Sequence, residues 1–256
     1  MKVLLQKRVS SALCAVLVLC VFAAAATHAQ KRPRRAGSRS MASVPVKDAR
    51  RSADASRHAR DASKVFNELM TTPERGIPNE LLDKAEAIAV FPGVIKAGFI
   101  VGGRGGQGVI SRRLPNGWSA PAFFHIGGAD FGAQIGASKT DFVLLFMNDN
   151  AVESLLKDKV ELGGELSVAA GPYGRTAAAS TDARAQAGIL SYSRSKGAFI
   201  GAVIKGGTIN PDNDLNEAVY GMKAVDFLTG TQKMTLATMP SVVRIFPQTL
   251  ARYSVR

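Results

Sequence analysis

Few side chains in this 256-residue chain could carry out acid–base or nucleophilic chemistry. Beyond residue 29 the histidines are His58 and His125, and the sequence holds neither a G-x-S-x-G nucleophile turn nor an H-E-x-x-H zinc motif. Both cysteines, Cys14 and Cys20, lie in an apolar N-terminal segment, so the rest of the chain lacks thiol chemistry and disulfides. We therefore predict a protein that is not an enzyme and that binds no cofactor.

A glycine-rich stretch at 103–108 matches the G-x-G-x-x-G pattern of dinucleotide-binding sites. That chemistry requires a helix directly after the glycines, because the helix N-terminus binds the pyrophosphate. Here residues 109–111 are Val-Ile-Ser, which is typical of a strand. The pattern therefore favours a glycine-rich hairpin with Arg104 at its tip over a nucleotide site.

The residues Asp212, Asp214 and Asn216 imitate the first positions of a calcium-binding EF-hand loop. The position that needs glycine is Glu217, and no glutamate closes the loop. Capping of a helix that starts at 210–212 explains these residues more simply, and we predict no metal site.

The positive charge of the chain is concentrated near its N-terminus. The formal net charge is +13, from 33 Lys and Arg residues against 20 Asp and Glu residues. Residues 30–64 contain eleven basic and three acidic residues, while the chain beyond residue 64 is almost balanced. A uniformly basic domain would favour nucleic acid, but this basic segment lacks regularly spaced aromatic residues for base stacking. We predict no nucleic-acid partner.

Residues 1–29 have the three parts of an export signal peptide. Residues 2–8 carry three basic side chains and no acidic one, residues 9–26 are small and apolar, and residues 27–29 satisfy the small-x-small cleavage rule. The residue before each cysteine is leucine rather than a small residue, so a lipoprotein signal is not expected. We predict an exported protein that is periplasmic or peripherally membrane-associated, with an uncleaved anchor as the alternative.

Residues 30–46 are rich in Arg, Ser, Ala and Pro and are predicted to be a disordered basic arm. From 47 to about 70 the spacing of apolar residues indicates an amphipathic helix, which becomes properly apolar in its last two turns. Its basic residues are Arg50, Arg51, Arg57, Arg60 and Lys64, and its bulky apolar residues include Val65, Phe66 and Leu69. Two uses stay open for this helix: it lies in a membrane interface, or it packs by its apolar side on the domain.

Beyond residue 86 the sequence is typical of short β-strands punctuated by glycine. Segments 98–101 and 109–113 indicate a hairpin, and residues 128–138 alternate with a period of two. Residues 142–147 are apolar throughout, which predicts a central strand covered on both faces. Connections too short for crossovers favour an α+β fold, a single domain with a curved, largely antiparallel, barrel-like sheet and flanking helices.

Three glycines, Gly128, Gly132 and Gly136, share one face of the predicted strand at 128–138. Asp130 and Gln134 between them exclude a membrane-spanning G-x-x-x-G helix. A strand face without side chains allows another element or a protein partner to approach closely.

Several blocks of the chain, taken together and in order, resemble the SYLF domain family. They include VFNELM at 65–70, KAEAIAVFP at 84–92, KAGFIVGG at 96–103, GWSAPAF at 117–123 and ILSYSRSKG at 189–197, with shorter matches at 76–78, 132–136, 169–175 and 211–213. The blocks extend over about residues 60–225. On this basis we predict a SYLF-like lipid-binding domain at 47–256.

The resemblance implies a lipid-binding protein. Eukaryotic SYLF proteins bind phosphoinositide-bearing membranes through an N-terminal amphipathic segment, and some also bind actin filaments. Phosphatidylinositol binding is therefore a family property, but for an exported chain we expect an anionic phospholipid or membrane surface as the partner, without actin. The expected lipid-binding residues, from the helix and from positions associated with the matching blocks, are Arg50, Arg51, Arg57, Arg60, Lys64, Val65, Phe66, Leu69, Lys84, Lys96 and Arg104.

The alternative function is a structural or protein-interaction module of the cell envelope. In that case the glycine-rich sheet face at 128–136 would dock a protein partner. If the basic helix binds membranes, deletion of residues 30–64 is expected to abolish binding and leave the domain folded. Binding that survives the deletion would place the site in the rest of the domain.

Overall fold

The computed structural model describes residues 46–72, 76–157, 159–164, 166–172, 187–195, 197–204, 206–229, 234 and 238–254. The export segment and the basic arm up to residue 45 lie outside this part of the chain, so the predictions made for them stay predictions. The side chains at 46–48, 99–101 and 130–136 lie outside it as well. No helix of the described residues is long and apolar enough to span a membrane.

Helices flank a central sheet in the described part of the chain. The helices are α1 (Val46–Thr71), α2 (Asn79–Lys84), α3 (Asp149–Leu155), α4 (Asn213–Tyr220), α5 (Ala224–Leu228) and α6 (Ile245–Tyr253), with a 3₁₀ turn at Ser241–Val243. The strands are β1 (Ala87–Leu114), β2 (Gly117–Trp118), β3 (Ala122–Phe146), β4 (Val160–Leu162), β5 (Val168–Ala170), β6 (Ile189–Arg194), β7 (Ile200–Gly201) and β8 (Gly207–Pro211).

Two long strands, β1 and β3, form the centre of the sheet. They pair antiparallel over most of their length, from Ala87 opposite Phe146 to Ile110 opposite Ala122. The predicted hairpin between residues 98–101 and 109–113 is therefore wrong, because both segments belong to β1. A period-two pattern identifies strands but does not show where one strand ends, and the glycines of this stretch continue the strand instead of turning it.

Glycines allow β1 to fold back on itself. A Cβ atom added at Gly106 would lie 2.8 Å from Cγ2 of Val94, and one at Gly108 would lie 2.9 Å from Cα of Phe91. At Gly102 the added atom would lie 2.7 Å from a carbonyl oxygen earlier in the same strand. A side chain at any of these positions would therefore separate the two halves of β1, so the contact between the halves depends on glycine.

The outer edge of β3 is shared by two further strands. Residues 141–146 pair with β6, and residues 124–128 pair with β8. β4 continues the sheet from β8, and β5 runs parallel to β6, while the other pairings between the described strands are antiparallel. At the opposite edge the ends of β1 meet, since the N–H of Arg113 donates a 2.7 Å hydrogen bond to the carbonyl of Glu86. The sheet is a nearly closed barrel flanked by helices, which confirms the predicted fold class.

The C-terminal half of β3 contributes to hydrophobic clusters on both of its faces. Phe142, Leu144 and Phe146 point into one cluster, while Val143 and Leu145 point into the cluster on the other face, and all five side chains are buried. The period of two therefore places apolar residues in two separate cores. This confirms the predicted central strand that is covered on both faces.

Helix α1 packs one side on β1 and α6. The fully buried residues of this side are Ala55, Ala59, Ala62, Phe66 and Leu69. The alanines allow the helix backbone to approach the sheet, and the larger side chains fill the last two turns. The hydroxyls of Thr71 and Thr72 donate to the carbonyls of the preceding turn, at 2.8 and 2.7 Å, and so satisfy acceptors at the helix end.

The start of α4 differs from the prediction. Asn210 and Pro211 pair with β3 as the end of β8, so the helix begins later, at Asn213. Asp212 is the N-cap, and its side chain accepts a 3.1 Å hydrogen bond from the N–H of Leu215. Strand pairing with β3 has overridden the local signal of an Asn-Pro helix start.

Candidate functional site

The main candidate site is a cleft of about 350 Å³ between the exposed flank of α1 and the glycine-rich part of β1. Its lining residues are Arg57, His58, Asp61, Pro92, Gly93, Ile95, Gly105, Gly106, Gln107 and His125. The cleft combines side chains from α1, β1 and β3. Residues that are far apart in the sequence, and that include both histidines found beyond residue 29, therefore share one site.

Helix α1 supplies one wall of the cleft and a basic surface beside it. Arg50, Arg57 and Lys64 follow one another at intervals of seven residues, which places them on the same side of the helix, and all three are exposed. Arg60 is also exposed and donates a 2.5 Å hydrogen bond to the hydroxyl of Ser56, while Arg51 is half-buried. The predicted basic residues of α1 therefore do face solvent, with Arg51 less so than the others.

Acidic residues on α1 partly offset this charge. Arg57 lies 3.0 Å from Asp54, and Lys64 lies 4.0 Å from Glu68. Ion pairs this exposed contribute little to stability, so the basic side chains stay able to exchange these partners for an external anion.

The apolar residues predicted to bind lipid belong to the core. Val65, Phe66 and Leu69 are all buried, and the ring of Phe66 lies edge-on to Tyr253 at 6.0 Å between ring centroids. Of the two uses that the sequence left open, the structure therefore shows α1 packed on the domain. Deletion of residues 30–64 would remove the buried Ala55, Ala59 and Ala62, so the expectation that this deletion leaves the domain folded loses its basis.

His58 lies half-buried on the α1 wall of the cleft. Burial lowers the pKa of His58 below its usual value, and the neighbouring Arg57 lowers it further. Asp54, Asp61 and Asp212 act in the opposite direction. Its ring lies 6.4 Å from the ring of Phe123, measured between centroids. A neutral imidazole is therefore favoured at this position until an anion or a lower pH stabilises the charged form.

His125 faces the same cleft from β3 and is paired with the helix cap. Its Nε2 lies 3.1 Å from the carboxylate of Asp212, and about half of the His125 side chain is exposed. Because Asp212 also caps α4, its carboxylate is fixed in place and in turn orients the imidazole. The Asp212–His125 pair was missed at the level of sequence, where Asp212 was assigned to helix capping alone.

The floor of the cleft is made by β1 and has few side-chain atoms. A Cβ added at Gly105 would meet nothing within 4 Å, in contrast to its neighbour Gly106, where it would meet Val94. Gln107 is exposed, and Ile95 has half of its side chain in solvent. The backbone at Gly105 is therefore accessible to a ligand in a way that a residue with a side chain would prevent.

The remaining predicted lipid-binding residues do not lie in the cleft lining. Lys84 is exposed at the end of α2, and the ammonium of Lys96 lies 5.5 Å from the ring centroid of Phe142. Arg104 is only 8% exposed and lies within β1, opposite Gly128. Placement of Arg104 at a hairpin tip was therefore wrong, because the predicted hairpin does not exist.

An ion-pair network fixes the C-terminal part of α1 to the sheet. Arg194 on β6 lies 2.6 Å from Glu68 of α1 and 2.8 Å from Asp141 of β3. Asp141 also accepts a 2.7 Å hydrogen bond from the N–H of Gly93, next to the cleft. Partial burial acts to lower the pKa of Arg194, but the hydrogen bonds to Asp141 and Glu68 outweigh it and raise that pKa. The guanidinium thus holds α1, β3 and β6 together.

The glycine-rich face at 128–136 is occupied by the chain itself at its start. A Cβ at Gly128 would lie 2.6 Å from the carbonyl oxygen of Gly206 and 2.9 Å from Cα of Gly207. Close approach of another element was predicted here, and at Gly128 that element is the beginning of β8. The described residues contain no group of three or more His, Cys, Asp or Glu side chains placed to hold a metal ion.

Comparison with known proteins places the chain in a family. The profile of the Ysc84 family, described as Las17-binding protein actin regulator, matches residues 127–253. The human protein named SH3 domain-containing YSC84-like protein 1 is 36% identical over 181 residues, which is 67% of this chain and 53% of the human one. The chain belongs to the Ysc84/SYLF family, which confirms the resemblance drawn from the sequence blocks.

Relatives from yeast and from Xenopus laevis are also similar to this chain. The LAS seventeen-binding protein 3 of Saccharomyces cerevisiae (strain ATCC 204508 / S288c) is 41% identical over 149 residues, or 57% of this chain and 32% of the yeast protein. The Xenopus laevis SH3 domain-containing YSC84-like protein 1 is 35% identical over 182 residues, which is 67% of this chain and 54% of that protein. The chain thus spans about half the length of the animal relatives it matches.

The similarity to the animal relatives extends beyond the segment that the family profile matches. An alignment of 181 residues is longer than the whole chain from residue 127 onward, so it contains residues that precede 127. All residues that line the cleft precede 127, and they lie outside the segment that the family profile matches.

Proposed function

We propose that this protein binds anionic membrane surfaces through the solvent-facing basic side of α1 and that it is not an enzyme. The observation that carries this proposal is the division of α1 into a side buried in the core and a side bearing exposed Arg50, Arg57, Arg60 and Lys64. A helix already seated on a domain presents these charges as a preformed patch, so binding costs little conformational entropy.

The expected strength of this attraction is modest. A basic residue near an anionic leaflet contributes about 1 kcal/mol, and the contribution falls off within a Debye length, about 10 Å at 0.1 M salt. Asp54, Asp61 and Glu68 on the same helix reduce the total. The proposed binding is therefore peripheral, reversible and sensitive to salt.

Shallow contact with the membrane surface is favoured over insertion. Val65, Phe66 and Leu69 would have to leave the core before they could enter lipid, and each loses its packing when it does. The lipid-facing groups of this proposal are therefore the basic side chains, and the three apolar residues hold the helix in position.

An exported protein would meet this surface in the cell envelope. The predicted export signal at 1–29 supports a periplasmic or peripherally membrane-associated location, and the resemblance to lipid-binding SYLF proteins supports a lipid partner. Phosphatidylinositol is one anionic lipid of the class proposed, although an exported chain would ordinarily meet other anionic phospholipids.

Co-sedimentation with vesicles tests this proposal. We expect binding to phosphatidylglycerol vesicles that declines between about 50 mM and about 500 mM salt, and no such salt-sensitive binding to phosphatidylcholine vesicles. A triple variant, Arg50→Gln, Arg60→Gln and Lys64→Gln, should lose about 3 kcal/mol of binding free energy at most, because each charge contributes about 1 kcal/mol.

A matched control variant distinguishes an effect of the basic side of α1 from an effect of the total positive charge. A variant with Lys157→Gln, Lys159→Gln and Arg252→Gln loses the same formal charge outside α1 and should bind like the unmodified chain. If both triple variants bind equally, or if lipid charge makes no difference, the proposal fails. The salt-sensitive component is the quantity compared, because the apolar segment at 9–26 can add binding that does not depend on salt.

A protein partner is the second candidate, favoured by the names of the relatives. The yeast relative is named a LAS seventeen-binding protein, and the family description adds the term actin regulator. We propose, as the second candidate, that this chain binds a protein partner of the cell envelope other than actin. Envelope extract passed over the immobilised chain at high salt in detergent tests this, because a membrane-surface contact would not survive those conditions.

A further inference from the structure

The cleft between α1 and β1 contains three side chains that carry positive charge or gain it on protonation. Arg57 and His58 come from α1, and His125 comes from β3. The carboxylates around them are Asp54 and Asp61 on α1 and Asp212 at the start of α4. With both histidines neutral, three carboxylates face one guanidinium, so the cleft does not attract anions. Two added protons bring the count to three positive groups and three carboxylates, so the excess of negative charge is removed.

The size and floor of the cleft suit a small anionic group. A volume of about 350 Å³ lies at the lower end of the range for ligand pockets, roughly 300–1,000 Å³, and is enough for a phosphate with a small polar substituent. The floor at Gly105 has no side chain and no atom within 4 Å of an added Cβ. Phosphate oxygens could therefore approach the backbone while the guanidinium and imidazole groups donate to them from the walls.

We propose that this cleft binds the phosphate group of a phosphodiester, and that protonation of His58 and His125 controls the binding. For the lipid headgroup as source of that phosphate, the inference rests on the proposed membrane function. Arg57 gives up its ion pair with Asp54 and donates hydrogen bonds to a phosphate oxygen instead. His125 keeps its contact with Asp212 and donates its other ring N–H to the phosphate.

Burial of His58 determines whether binding becomes tighter or weaker as pH falls. Because the pKa of the free His58 ring lies below the usual value of about 6.5, the ring is mostly neutral at neutral pH. A bound phosphate stabilises the charged ring, so binding takes up protons and becomes tighter as pH falls. Asp54, Asp61 and Asp212 favour the same charged form from α1 and α4, while Arg57 opposes it.

The test uses the full chain and glycerophosphoglycerol, the water-soluble headgroup of phosphatidylglycerol. Its phosphodiester keeps one negative charge across the range used, so any effect of pH arises in the protein. We expect calorimetry to show binding at least about tenfold tighter at about pH 5 than at about pH 7.5. The variant His58→Gln with His125→Gln should lose this difference.

A control variant and a second measurement exclude a general effect of charge. Lys157→Gln with Lys159→Gln removes two basic residues that lie neither on α1 nor in the cleft lining and should leave headgroup binding unchanged. In histidine ring NMR spectra, the headgroup should raise the pH at which the His58 signals titrate. Absence of headgroup binding at about pH 5, or an equal affinity in the double histidine variant, overturns the proposal.

Vesicles distinguish this inference from the membrane function. Loss of headgroup binding together with retained, salt-sensitive vesicle binding overturns the cleft site and leaves the proposed function intact. Headgroup binding without any preference for phosphatidylglycerol vesicles supports the cleft as a site for a soluble phosphodiester and overturns the proposed function. When both hold, the double histidine variant should lose only the gain in vesicle binding at low pH.

Discussion

Helix α1 and the glycine-rich part of β1 face each other across the cleft, and each has an inner and an outer side. In α1 the inner side is filled by Ala59, Phe66 and other buried side chains, while the outer side carries arginine and lysine. In β1 the inner side is defined by missing side chains, at Gly106 and Gly108, and the outer side includes Gly105, where space is open. The helix repeats every 3.6 residues and the strand every two.

This contrast predicts opposite sensitivities in the two regions. The inner side of α1 should be damaged when atoms are removed, because a cavity remains. The inner side of β1 should be damaged when atoms are added, because the two halves of the strand are already in contact. In both regions, substitutions on the outer side should leave stability nearly unchanged and should instead alter ligand binding.

Removal of a buried side chain from α1 should have the largest effect. Phe66→Ala leaves a cavity in the core between α1 and the sheet, and we expect a loss of about 3 to 5 kcal/mol in the free energy of unfolding. Urea denaturation followed by circular dichroism measures this loss. Arg60→Gln, one turn and a half earlier on the outer side, is the control and should change stability by less than about 0.5 kcal/mol. Equal losses would contradict the division of the helix.

Addition of one methyl group to the inner side of β1 should have the next largest effect. Gly108→Ala places a Cβ 2.9 Å from Cα of Phe91, so we expect a loss of about 1 to 3 kcal/mol. Gly105→Ala adds the same methyl group where nothing lies within 4 Å, and its stability should stay close to that of the unmodified protein. A midpoint of thermal unfolding that falls equally in both variants would show that β1 does not fold back as described.

Loss of the ion-pair network should weaken the connection between the two regions. Arg194→Met leaves Glu68 and Asp141 without their shared cation, and we expect a loss of about 1 to 2 kcal/mol in the free energy of unfolding. Because Asp141 also holds the N–H of Gly93, amide hydrogen exchange at Gly93 should become faster. Lys159→Met breaks the exposed pair with Glu161 and should leave stability unchanged, which makes it the matched control.

The pH dependence of stability should be the smallest of these effects. The pKa of His58 is lowered by burial in the folded protein, so the unfolded chain binds more protons as pH falls below about 6.5. Stability that is present above this pH is therefore lost as pH falls through the lower, folded-state pKa. Urea denaturation across this range should show the loss in the unmodified chain and a smaller one in His58→Gln. An unchanged slope in the variant would assign the pH dependence to other groups.

Patterns that depend on burial were predictable from sequence. The apolar run at 142–147 predicted a strand covered on both faces. Successive residues of a strand point to opposite faces, so a strand that is apolar at every position must be buried on both. The helix at 47–70 was predicted within a residue at each end of Val46–Thr71. The blocks from 65 to 213 identified the family.

Other features required distant contacts and were not predictable. Nothing local distinguishes a glycine that turns a chain from one that lets a strand fold over itself, so 103–108 was interpreted as a hairpin. The Asn-Pro pair at 210–211 resembled a helix start, until β3 was seen to pair with it. Because the hairpin at 103–108 was predicted wrongly, Arg104 was also placed at a hairpin tip instead of inside β1.

The sequence by itself therefore determined the α+β class and the position of a basic helix, because composition and periodicity along one segment are enough for these, and the resemblance of its blocks indicated the family. Only the tertiary structure decided that Val65, Phe66 and Leu69 belong to the core and that His58 and His125 share a cleft. The reason is physical: a helix or strand has its faces set by its own repeat, but what covers each face is set by the residues of other segments. The basic residues of α1 are identified as its solvent-facing side only because the structure buries the opposite side of the helix.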